Sequence, residues 1–355
     1  MKKIAVIGGG ISGVFFALRV KKYHPDYLVS VFEHNDKLLK KIYATGNGKC
    51  NFANTGELNN KYKNEQHVLP IIKEFNSQKI IDFFYSVGVV SKNIDELVYP
   101  YSESADTVAR KLLEQVDKLN IDVRLNEKVI DYSSKEVITD KNHYSYDELV
   151  ISTGGSSSSK LGSDGSLFSV LKRHGYELIE TYPSLCPIKV KENTKMVEGI
   201  RSKAVVSLYQ NKTLIHKERG EILFKKDGLS GIVIFNLTHY INELTNKNNL
   251  TIHIDFAEGR NEAYDSLLHK DLAKYLTNNH HNIHDTVFSY KGLYDFDASQ
   301  VTSGGVSFKN LNEDLSSKIE KNVHFVGEVI DTDAVCGGFN LMWAFASAEK
   351  VAKNI

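Results

Sequence analysis

The chain has 355 residues, which is enough for two domains or for one large domain with an insertion. Its 44 basic and 44 acidic side chains give a formal net charge of zero, which argues against a broad surface for nucleic acids or membranes. Three widely separated cysteines suit a reducing compartment and do not predict a disulfide framework. No apolar run reaches the roughly 18 residues of a transmembrane helix. We therefore expect a cytoplasmic protein with no membrane or nucleic-acid partner.

The first 33 residues have the pattern of a dinucleotide-binding unit: a short apolar strand, a glycine turn, an apolar helix and a second strand. The turn fits G-x-G-x-x-G with Gly8, Gly10 and Gly13. The first glycine allows the tight turn, the second lets a pyrophosphate approach the backbone, and the third lets helix and strand pack closely. The helix N-terminus supplies N–H groups for phosphate oxygens, and Glu33 can accept hydrogen bonds from a ribose diol.

Later segments extend this pattern to the far end of the chain. An apolar strand over residues 146–153 ends in Gly154, at the edge of the sheet where ligands bind in such folds. From about Pro183, short alternating segments predict a small antiparallel sheet or barrel. A strand near residues 323–326 and a glycine pair that opens a helix at Gly338 restore the α/β pattern. We expect both ends of the chain to fold onto one cofactor, with the β-rich part inserted between them.

Four sequence blocks are characteristic of one protein family. They are IAVIGGGISG (Ile4–Gly13), ATGNGKCNFAN (Ala44–Asn54), QVTSGGVSF (Gln300–Phe308) and FVGEVIDTDAVCGGFNLMWAFASA (Phe325–Ala348). The chain resembles the BaiN-type NAD(P)/FAD-dependent oxidoreductases, which are also called aminoacetone-oxidase-family flavoproteins. The second and fourth blocks are specific to this family, whereas a glycine fingerprint alone is not.

This resemblance implies bound FAD and an α/β fold. The expected architecture is a doubly wound, Rossmann-like FAD-binding domain with an inserted β-barrel-like domain and a small helical subdomain. The implied boundaries are 1–183 with 309–355 for the discontinuous FAD-binding domain, 184–258 with 294–308 for the β-rich substrate domain, and 259–293 for the helical subdomain.

The same resemblance assigns residues to the cofactor. Ser12 joins Gly8, Gly10 and Gly13 at the pyrophosphate, and Glu33 holds the adenosine ribose. The other implied cofactor-binding residues are Lys41, Gly46, Lys49, Cys50, Asn51, Val129, Thr153, Gly154, Gly327, Glu328, Asp331, Gly338, Phe339, Asn340 and Leu341. The first five of these line a loop near the flavin or pyrophosphate, Val129 contacts adenine through its backbone, and the last four approach the isoalloxazine edge.

The sequence departs from the family pattern in three places. Lys49 stands where arginine is common, which keeps the charge but loses the planar fork for bidentate phosphate contact. The region 259–293 is shorter than is usual in the family, and Ser156–Ser159 replaces a more structured stretch. These departures affect the expected substrate pocket more than the cofactor site.

No catalytic or metal site is predicted from the cysteines and histidines. Cys50 has no second cysteine at C-x-x-C spacing, so a dithiol relay to the flavin is not expected. His280 and His284 are spaced to share a helix face, but their Asn-rich surroundings favour a solvated loop over a metal site. The single tryptophan, Trp343, fits either a wall of the flavin site or the core. The sequence identifies no catalytic acid or base.

The leading hypothesis is an FAD-dependent oxidoreductase that acts on a small organic substrate. Because only one complete glycine fingerprint is present, NAD(P)H is expected to dock only transiently if it is the electron donor, and the sequence leaves open that electrons come instead from an organic substrate and pass to oxygen. One alternative is a small-amine (aminoacetone-like) oxidase that produces peroxide. Another is an FAD-dependent tRNA-modifying enzyme or a non-catalytic flavin-binding protein, although a zero net charge does not favour an RNA partner. The substrate, the choice of NADH or NADPH and the oligomeric state stay open at this point.

Overall fold

A computed structural model describes the whole chain, residues 1–355. The chain forms two compact units. The first unit comprises Met1–Thr181 and Val301–Ile355, and the second comprises Tyr182–Gln300. The first unit is therefore discontinuous in sequence.

Strands and helices alternate along much of the chain. The strands are β1 (Lys3–Ile7), β2 (Leu28–Phe32), β3 (Ala53–Asn54), β4 (Ser91–Ile94), β5 (Leu97–Pro100), β6 (Asp122–Arg124), β7 (Val129–Tyr132), β8 (Glu136–Thr139), β9 (His143–Ser145), β10 (Glu148–Ile151), β11 (Leu178–Ser184), β12 (Ile188–Val190), β13 (Arg201–Gln210), β14 (Thr213–Lys225), β15 (Gly228–Ser230), β16 (Leu250–Asp255), β17 (Thr286–Leu293), β18 (Val301–Val306) and β19 (Val323–Phe325). The α-helices are α1 (Ile11–Tyr23), α2 (Glu65–Glu74), α3 (Ser77–Ser86), α4 (Ala105–Lys118), α5 (Ser166–Arg173), α6 (Ile232–Glu243), α7 (Tyr264–Leu267), α8 (Lys270–Asn278) and α9 (Phe339–Asn354). No helix is both long enough and apolar enough to cross a bilayer.

A five-stranded parallel sheet forms the centre of the first unit. Its strand order is β19-β10-β1-β2-β6, and every neighbouring pair runs parallel. The central strands are short apolar runs, with four buried residues each in β1 and β10. Such continuous apolar runs are typical of parallel strands, because helices or other layers cover both faces of the sheet. The predicted α/β fold class, with a Rossmann-like domain and an inserted barrel, is confirmed.

Helix α9 brings the end of the chain onto helix α1. The fully buried rings of Phe15 and Phe345 meet edge to face, with their centroids 5.1 Å apart. One turn further, the Arg19 guanidinium donates two hydrogen bonds to the Glu349 carboxylate, at 2.5 and 2.9 Å. Both charged residues are buried, so the pair depends on this close geometry. The packing explains how residues more than 300 positions apart come to share one site.

The second unit contains a closed six-stranded barrel. Its strand order is β12-β15-β14-β13-β16-β17, and the neighbouring strands of the barrel run antiparallel. Alternate residues of β16 are buried, as expected for strands with one face towards a barrel core. The core is rich in large apolar side chains, among them Phe224, Ile252 and Phe288. Closure leaves no unpaired edge strand in the barrel.

The range predicted as a helical subdomain, 259–293, contains helices only as far as Asn278. The stretch Thr286–Leu293 is instead strand β17 of the barrel. Burial alternates at its start, and Phe288 pairs with Ile252 across the neighbouring strand. Buried residues that alternate with partly exposed ones favour a strand, because they place one face of the segment in the barrel core.

Candidate functional site

The glycine turn after β1 is built from three differently used glycines. Gly8 has a φ of +106°, and a Cβ there would lie 2.6 Å from the Ser152 carbonyl oxygen. At Gly13 a Cβ would lie 2.1 Å from the Gly8 carbonyl oxygen, so helix and turn pack too closely for any side chain. Gly10 differs, since a Cβ there would have no heavy atom within 4 Å. The turn is therefore closed by protein at two glycines and open at the third.

The open glycine lies at the start of helix α1. Gly10 is the N-cap residue of this helix and provides no side-chain hydrogen bond, and the first turn holds no acidic residue. The first N–H groups of a helix lack partners within the helix and attract anions. The space beside Gly10 therefore suits a phosphate group, and the geometry meets the requirement of a dinucleotide pyrophosphate.

Glu33 follows strand β2 and is almost fully buried. Its carboxylate accepts hydrogen bonds from the Gly9 N–H at 2.9 Å and from the Asn35 N–H at 2.8 Å. The Asn35 side chain donates a further bond at 2.7 Å. These bonds fix the carboxylate beside the glycine turn. The backbone of Glu127 bonds to that of Glu33, which brings the start of strand β7, including Val129, towards the same edge of the sheet.

Strand β10 supplies the next segment of this edge. The Ser152 hydroxyl lies within hydrogen-bond distance of the carbonyl oxygens of Ile7 and Gly8, at 2.8 and 2.9 Å. Thr153 lies directly against Gly8, and Gly154 adopts a φ of +71°. The predicted residues Thr153 and Gly154 thus lie beside the glycine turn.

Gly327, from the far end of the chain, closes over the start of α1. It has a φ of +76°, and a Cβ there would lie 2.5 Å from the Ser12 hydroxyl oxygen. Its N–H donates to the Ser347 hydroxyl at 2.9 Å, and its carbonyl accepts from the Trp343 indole at 3.0 Å. Trp343 is buried, so it packs in the core while it also orients the backbone of Gly327.

Glu328 connects three segments of the first unit. One carboxylate oxygen accepts from the Lys41 ammonium at 3.0 Å, and the other accepts from the Thr302 N–H at 2.7 Å. Lys41 follows strand β2, whereas Glu328 follows β19. Two predicted cofactor residues therefore form an ion pair with each other.

The predicted loop over residues 44–54 contacts the N-terminus of α9. The Asn51 amide nitrogen donates to the carbonyls of Val98 and Ala53, and the amide oxygen accepts from the Gly338 N–H at 3.3 Å. Gly338 has a φ of +91°, and a Cβ there would lie 2.7 Å from the Ala53 carbonyl. A Cβ at Gly46 would lie 2.9 Å from the Asn51 N–H nitrogen, so this loop also depends on glycine.

Cys50 and Lys49 occupy very different surroundings in this loop. Cys50 is fully buried, and burial raises the pKa of its thiol to about 12. The thiolate needed for redox or nucleophilic chemistry is therefore scarce at neutral pH. Lys49 is half exposed and pairs with Glu103 at 2.5 Å. Hydrogen bonds from Lys49 and Lys92 lower the pKa of Glu103 to about 2.

The remaining predicted residues lie around the second glycine pair. Asp331 is buried, and its carboxylate accepts from the Lys63 ammonium at 2.6 Å and from the Asn64 amide at 3.1 Å. The Phe339 carbonyl accepts from the buried Tyr62 hydroxyl at 3.0 Å. Asn340 exchanges two hydrogen bonds of 2.9 Å with the Ala334 backbone. Leu341 is half-buried on the first turn of α9.

The structure thus brings most of the predicted cofactor residues into two groups, whereas Lys49 instead pairs with Glu103 at the surface. The first surrounds the glycine turn and contains Gly8, Gly10, Ser12, Gly13, Glu33, Lys41, Thr153, Gly154, Gly327 and Glu328. The second surrounds the start of α9 and contains Gly46, Asn51, Gly338 and Phe339. Three residues that the sequence does not predict, Lys63, Asn64 and Thr302, bond to predicted cofactor residues. Thr302 lies in the sequence block Gln300–Phe308, which carries the family resemblance, so its place in that block could have marked it as a candidate site residue.

Comparison with known proteins places the chain in a family. The sequence matches the family described as HI0933-like protein Rossmann domain over residues 2–354. The chain belongs to this family. A 3-dehydro-bile acid delta(4,6)-reductase of Clostridium scindens is 26% identical to this chain over 399 residues, and the match covers 98% of this chain and 97% of the relative. The resemblance to BaiN-type oxidoreductases is therefore confirmed.

Two further similarities add to this family membership. A ribosomal RNA dihydrouridine synthase of Haemophilus influenzae is 23% identical over 401 residues, covering 99% of this chain and 97% of its own. The solved structure of quinol–fumarate reductase from Escherichia coli is similar with a TM-score of 0.52 at 10% identity, over 100% of this chain and 70% of that chain. At that identity the structural likeness concerns the fold alone.

Proposed function

We propose that this protein is an FAD-dependent oxidoreductase that uses NAD(P)H to reduce a carbon–carbon double bond in a small organic substrate. The observation that carries the FAD-binding part of the proposal is the open space beside Gly10, which lies between two glycines packed against the protein itself. A dinucleotide pyrophosphate fits this space because helix α1 begins there without a side-chain cap. The buried carboxylate of Glu33 suits a ribose with a free 2′-hydroxyl and would repel a 2′-phosphate.

The residues around the two glycine turns would hold FAD. Gly8, Gly10, Ser12 and Gly13 would face the pyrophosphate, Glu33 the ribose, and the N-terminus of α9 at Gly338 the flavin. Bound FAD supplies hydride transfer, while the protein supplies position and electrostatics. The N–H groups at the start of α9, which has no side-chain cap and no acidic residue in its first turn, favour negative charge on a ligand there.

The reduced bond is inferred from the relatives. The name of the Clostridium scindens enzyme denotes reduction of double bonds in a 3-oxo bile acid, and dihydrouridine is uridine with a saturated ring bond. In both substrates the double bond is conjugated with a carbonyl group. This shared chemistry supports a substrate with a carbonyl-activated double bond.

The first test is anaerobic reduction of the FAD-loaded protein. NADH and NADPH would be mixed with it in a stopped-flow instrument, and bleaching would be followed near roughly 450 nm, where oxidised flavin absorbs. Fast bleaching by either donor, compared with free FAD at the same concentration, is the expected result. A protein that takes up no FAD would overturn the proposal.

A second test identifies the acceptor. The reduced protein would be mixed with a 3-oxo-4,6-diene steroid, a simple enone and an isolated alkene, and flavin reoxidation would be measured without oxygen. We expect the conjugated substrates to reoxidise the flavin and the isolated alkene to have no effect. Bleaching by small amines together with peroxide formation, and none by NAD(P)H, would instead identify an amine oxidase.

One observation favours a second candidate, a ribosomal RNA dihydrouridine synthase. Two relatives of this name, from Haemophilus influenzae and Escherichia coli, align with 99% of the chain. The test is incubation of the NAD(P)H-reduced protein with unmodified ribosomal RNA, followed by mass spectrometry of the nucleosides. Formation of dihydrouridine would assign this activity, and its absence alongside enone reduction would assign the small-molecule activity.

A further inference from the structure

Thr302, on strand β18, ties down the loop that follows strand β10. Its hydroxyl oxygen accepts hydrogen bonds from the backbone N–H groups of Ser156 and Ser157, at 2.8 and 3.1 Å. It also lies 2.9 Å from the Ser157 hydroxyl. Thr302 and Ser157 are fully buried. A Cβ at Gly155 would lie 2.3 Å from the Thr302 hydroxyl oxygen, so the loop passes directly over this side chain.

The backbone of the same residue orients an acidic side chain. The Thr302 N–H donates to Glu328 at 2.7 Å, and the second oxygen of this carboxylate pairs with Lys41 at 3.0 Å. Glu328 is thus held from two sides and cannot rotate without breaking one of these bonds. A Cβ at Gly154 would approach the Glu328 carboxylate to 3.9 Å, which places the loop and the carboxylate next to each other.

All the segments joined here leave the same edge of the parallel sheet. Lys41 follows β2, Ser156 follows β10 and Glu328 follows β19, while the glycine turn follows β1. In open parallel sheets this carboxyl edge is where ligands bind. Thr302 is therefore placed to fix the position of groups at the same edge of the sheet as the glycine turn, although it does not belong to any of those segments.

We propose that Thr302 is a positioning residue for the cofactor: through its hydroxyl it fixes the loop at Ser156, and through its N–H it fixes Glu328, so that both are preorganised for FAD. This inference rests on the proposed FAD site. Preorganised groups raise affinity because binding need not order them. Loss of the hydroxyl leaves two backbone donors without their acceptor and frees the loop.

The test compares Thr302→Val, which keeps the shape and loses the hydroxyl, with Thr302→Ser, which keeps the hydroxyl. A matched control is Thr286→Val, which removes another fully buried threonine hydroxyl, one that donates to the Asn282 carbonyl of the barrel unit. FAD affinity of the full chain would be measured by flavin fluorescence quenching, and the visible circular dichroism of bound FAD would report its surroundings. Thermal unfolding without FAD would report stability.

We expect Thr302→Val to bind FAD about tenfold more weakly or worse, with a changed dichroism spectrum. Thr302→Ser should restore both properties, and Thr286→Val should change stability alone. Wild-type affinity and spectrum in Thr302→Val, or a Thr302→Ser protein as weak as Thr302→Val, would overturn the inference. A wild-type chain that does not bind FAD would overturn the proposed function as well, so the two failures are distinguishable.

A measurement on the wild type covers the case in which Thr302→Val does not fold. Hydrogen exchange of the peptide that contains Ser156 and Ser157 would be followed with and without FAD. The inference requires slow exchange of these two amides without FAD and slower exchange with it. Fast exchange in the absence of FAD would show that the loop is not held in place and would overturn the inference.

Discussion

The glycines of the turn after β1 have two different roles: some are needed for close packing of the protein, and one leaves room for a ligand. A side chain at Gly13 would meet the backbone of Gly8, whereas a side chain at Gly10 would meet nothing. The two positions look alike in sequence. Because their surroundings differ, a substitution at Gly13 should affect stability, whereas a substitution at Gly10 should affect ligand binding.

We therefore predict opposite results for two alanine substitutions in this turn. Gly10→Ala should leave the melting temperature of the FAD-free protein nearly unchanged and weaken FAD binding at least about tenfold, because its methyl group occupies the phosphate space. Gly13→Ala should destabilise the FAD-free protein by about 1–3 kcal/mol or more, since the methyl group overlaps the Gly8 carbonyl. Thermal unfolding and fluorescence titration measure the two effects. Equal destabilisation by both substitutions would contradict this assignment.

The glycine turn could be predicted residue by residue, whereas the Thr302 contacts could not. Gly8, Gly10, Gly13 and Glu33 lie within one local pattern whose spacing reflects its geometry. The partners of Thr302 at Ser156 and Ser157 lie about 145 positions away, and their backbone N–H groups carry no sequence signal. Contacts of this kind follow from how the strands are ordered, and one sequence does not encode that order locally.

At the level of elements, helices α1 and α9 are joined by a buried ion pair. Burial alone would raise the pKa of Glu349, but the hydrogen bonds from Arg19 and Tyr23 lower it overall. The carboxylate therefore stays charged in the core. Removal of one partner leaves the other charge buried without compensation, which usually destabilises a protein far more than loss of a surface pair does.

We predict that Glu349→Ala lowers the free energy of unfolding by about 3–5 kcal/mol. The double variant Arg19→Met/Glu349→Leu should recover most of this loss, because apolar side chains of similar size can replace a buried pair. Urea denaturation measures the free energy of unfolding of the wild type, the single variant and the double variant. Glu114→Ala, which breaks the exposed pairs with Arg110 and Lys111 on α4, is the control and should leave the free energy of unfolding nearly unchanged. A small effect of Glu349→Ala would show that Arg19 finds another partner.

A second junction between elements depends on protonation. His174, the C-cap residue of α5, lies 2.9 Å from Asp131 of β7 and 2.9 Å from Glu320, and it stacks on the Tyr132 ring. Burial alone would lower the pKa of His174, but its hydrogen bonds to Glu320 and Asp131 outweigh burial and raise the pKa. The charged histidine thus links α5 to the strand that begins at Val129.

Because the folded-state pKa of His174 lies above its unfolded value of about 6.5, its stabilisation is complete below that pH and is lost as the pH rises through the folded-state pKa. We predict that the difference in melting temperature between wild type and His174→Gln is largest near pH 6 and shrinks towards pH 9. Thermal unfolding over this range measures it. A difference that is constant with pH would rule out this link.

Strand β17 shows where prediction of elements fails for a physical reason. The family resemblance predicts a helical subdomain over the whole of 259–293, yet Thr286–Leu293 completes the barrel. The central parallel strands, in contrast, are readily predicted, because strands buried on both faces need continuous apolar runs. A strand with only one buried face has a weaker hydrophobic pattern in sequence, and its assignment as a strand becomes clear only when its pairing partners are known.

For the whole molecule, the two units differ in how their chains are arranged. The barrel unit is one continuous segment, Tyr182–Gln300, with its own apolar core. The first unit needs both of its segments to complete its sheet, since β19 pairs with β10. The barrel unit therefore has the organisation of an independently folding domain, whereas neither part of the first unit does.

We predict that a protein consisting of residues 182–300 folds by itself. Far-ultraviolet circular dichroism should show a β-rich spectrum and one cooperative thermal transition. A matched fragment of residues 1–181 should lack a cooperative transition, because strand β19 and helix α9 are missing. A disordered barrel fragment would mean that its core needs the rest of the chain.

The split first unit also has a consequence for synthesis on the ribosome. When residue 300 has been added, the barrel sequence is complete, but the buried Arg19 still lacks Glu349 and the sheet lacks its outer strand. At about 5–20 residues per second, the segment from residue 301 to the end of helix α9 takes on the order of several seconds to translate. During that interval the first unit of the nascent chain is unfinished, so chaperone capture of this protein should concentrate on residues 1–181 and end once helix α9 has been synthesised.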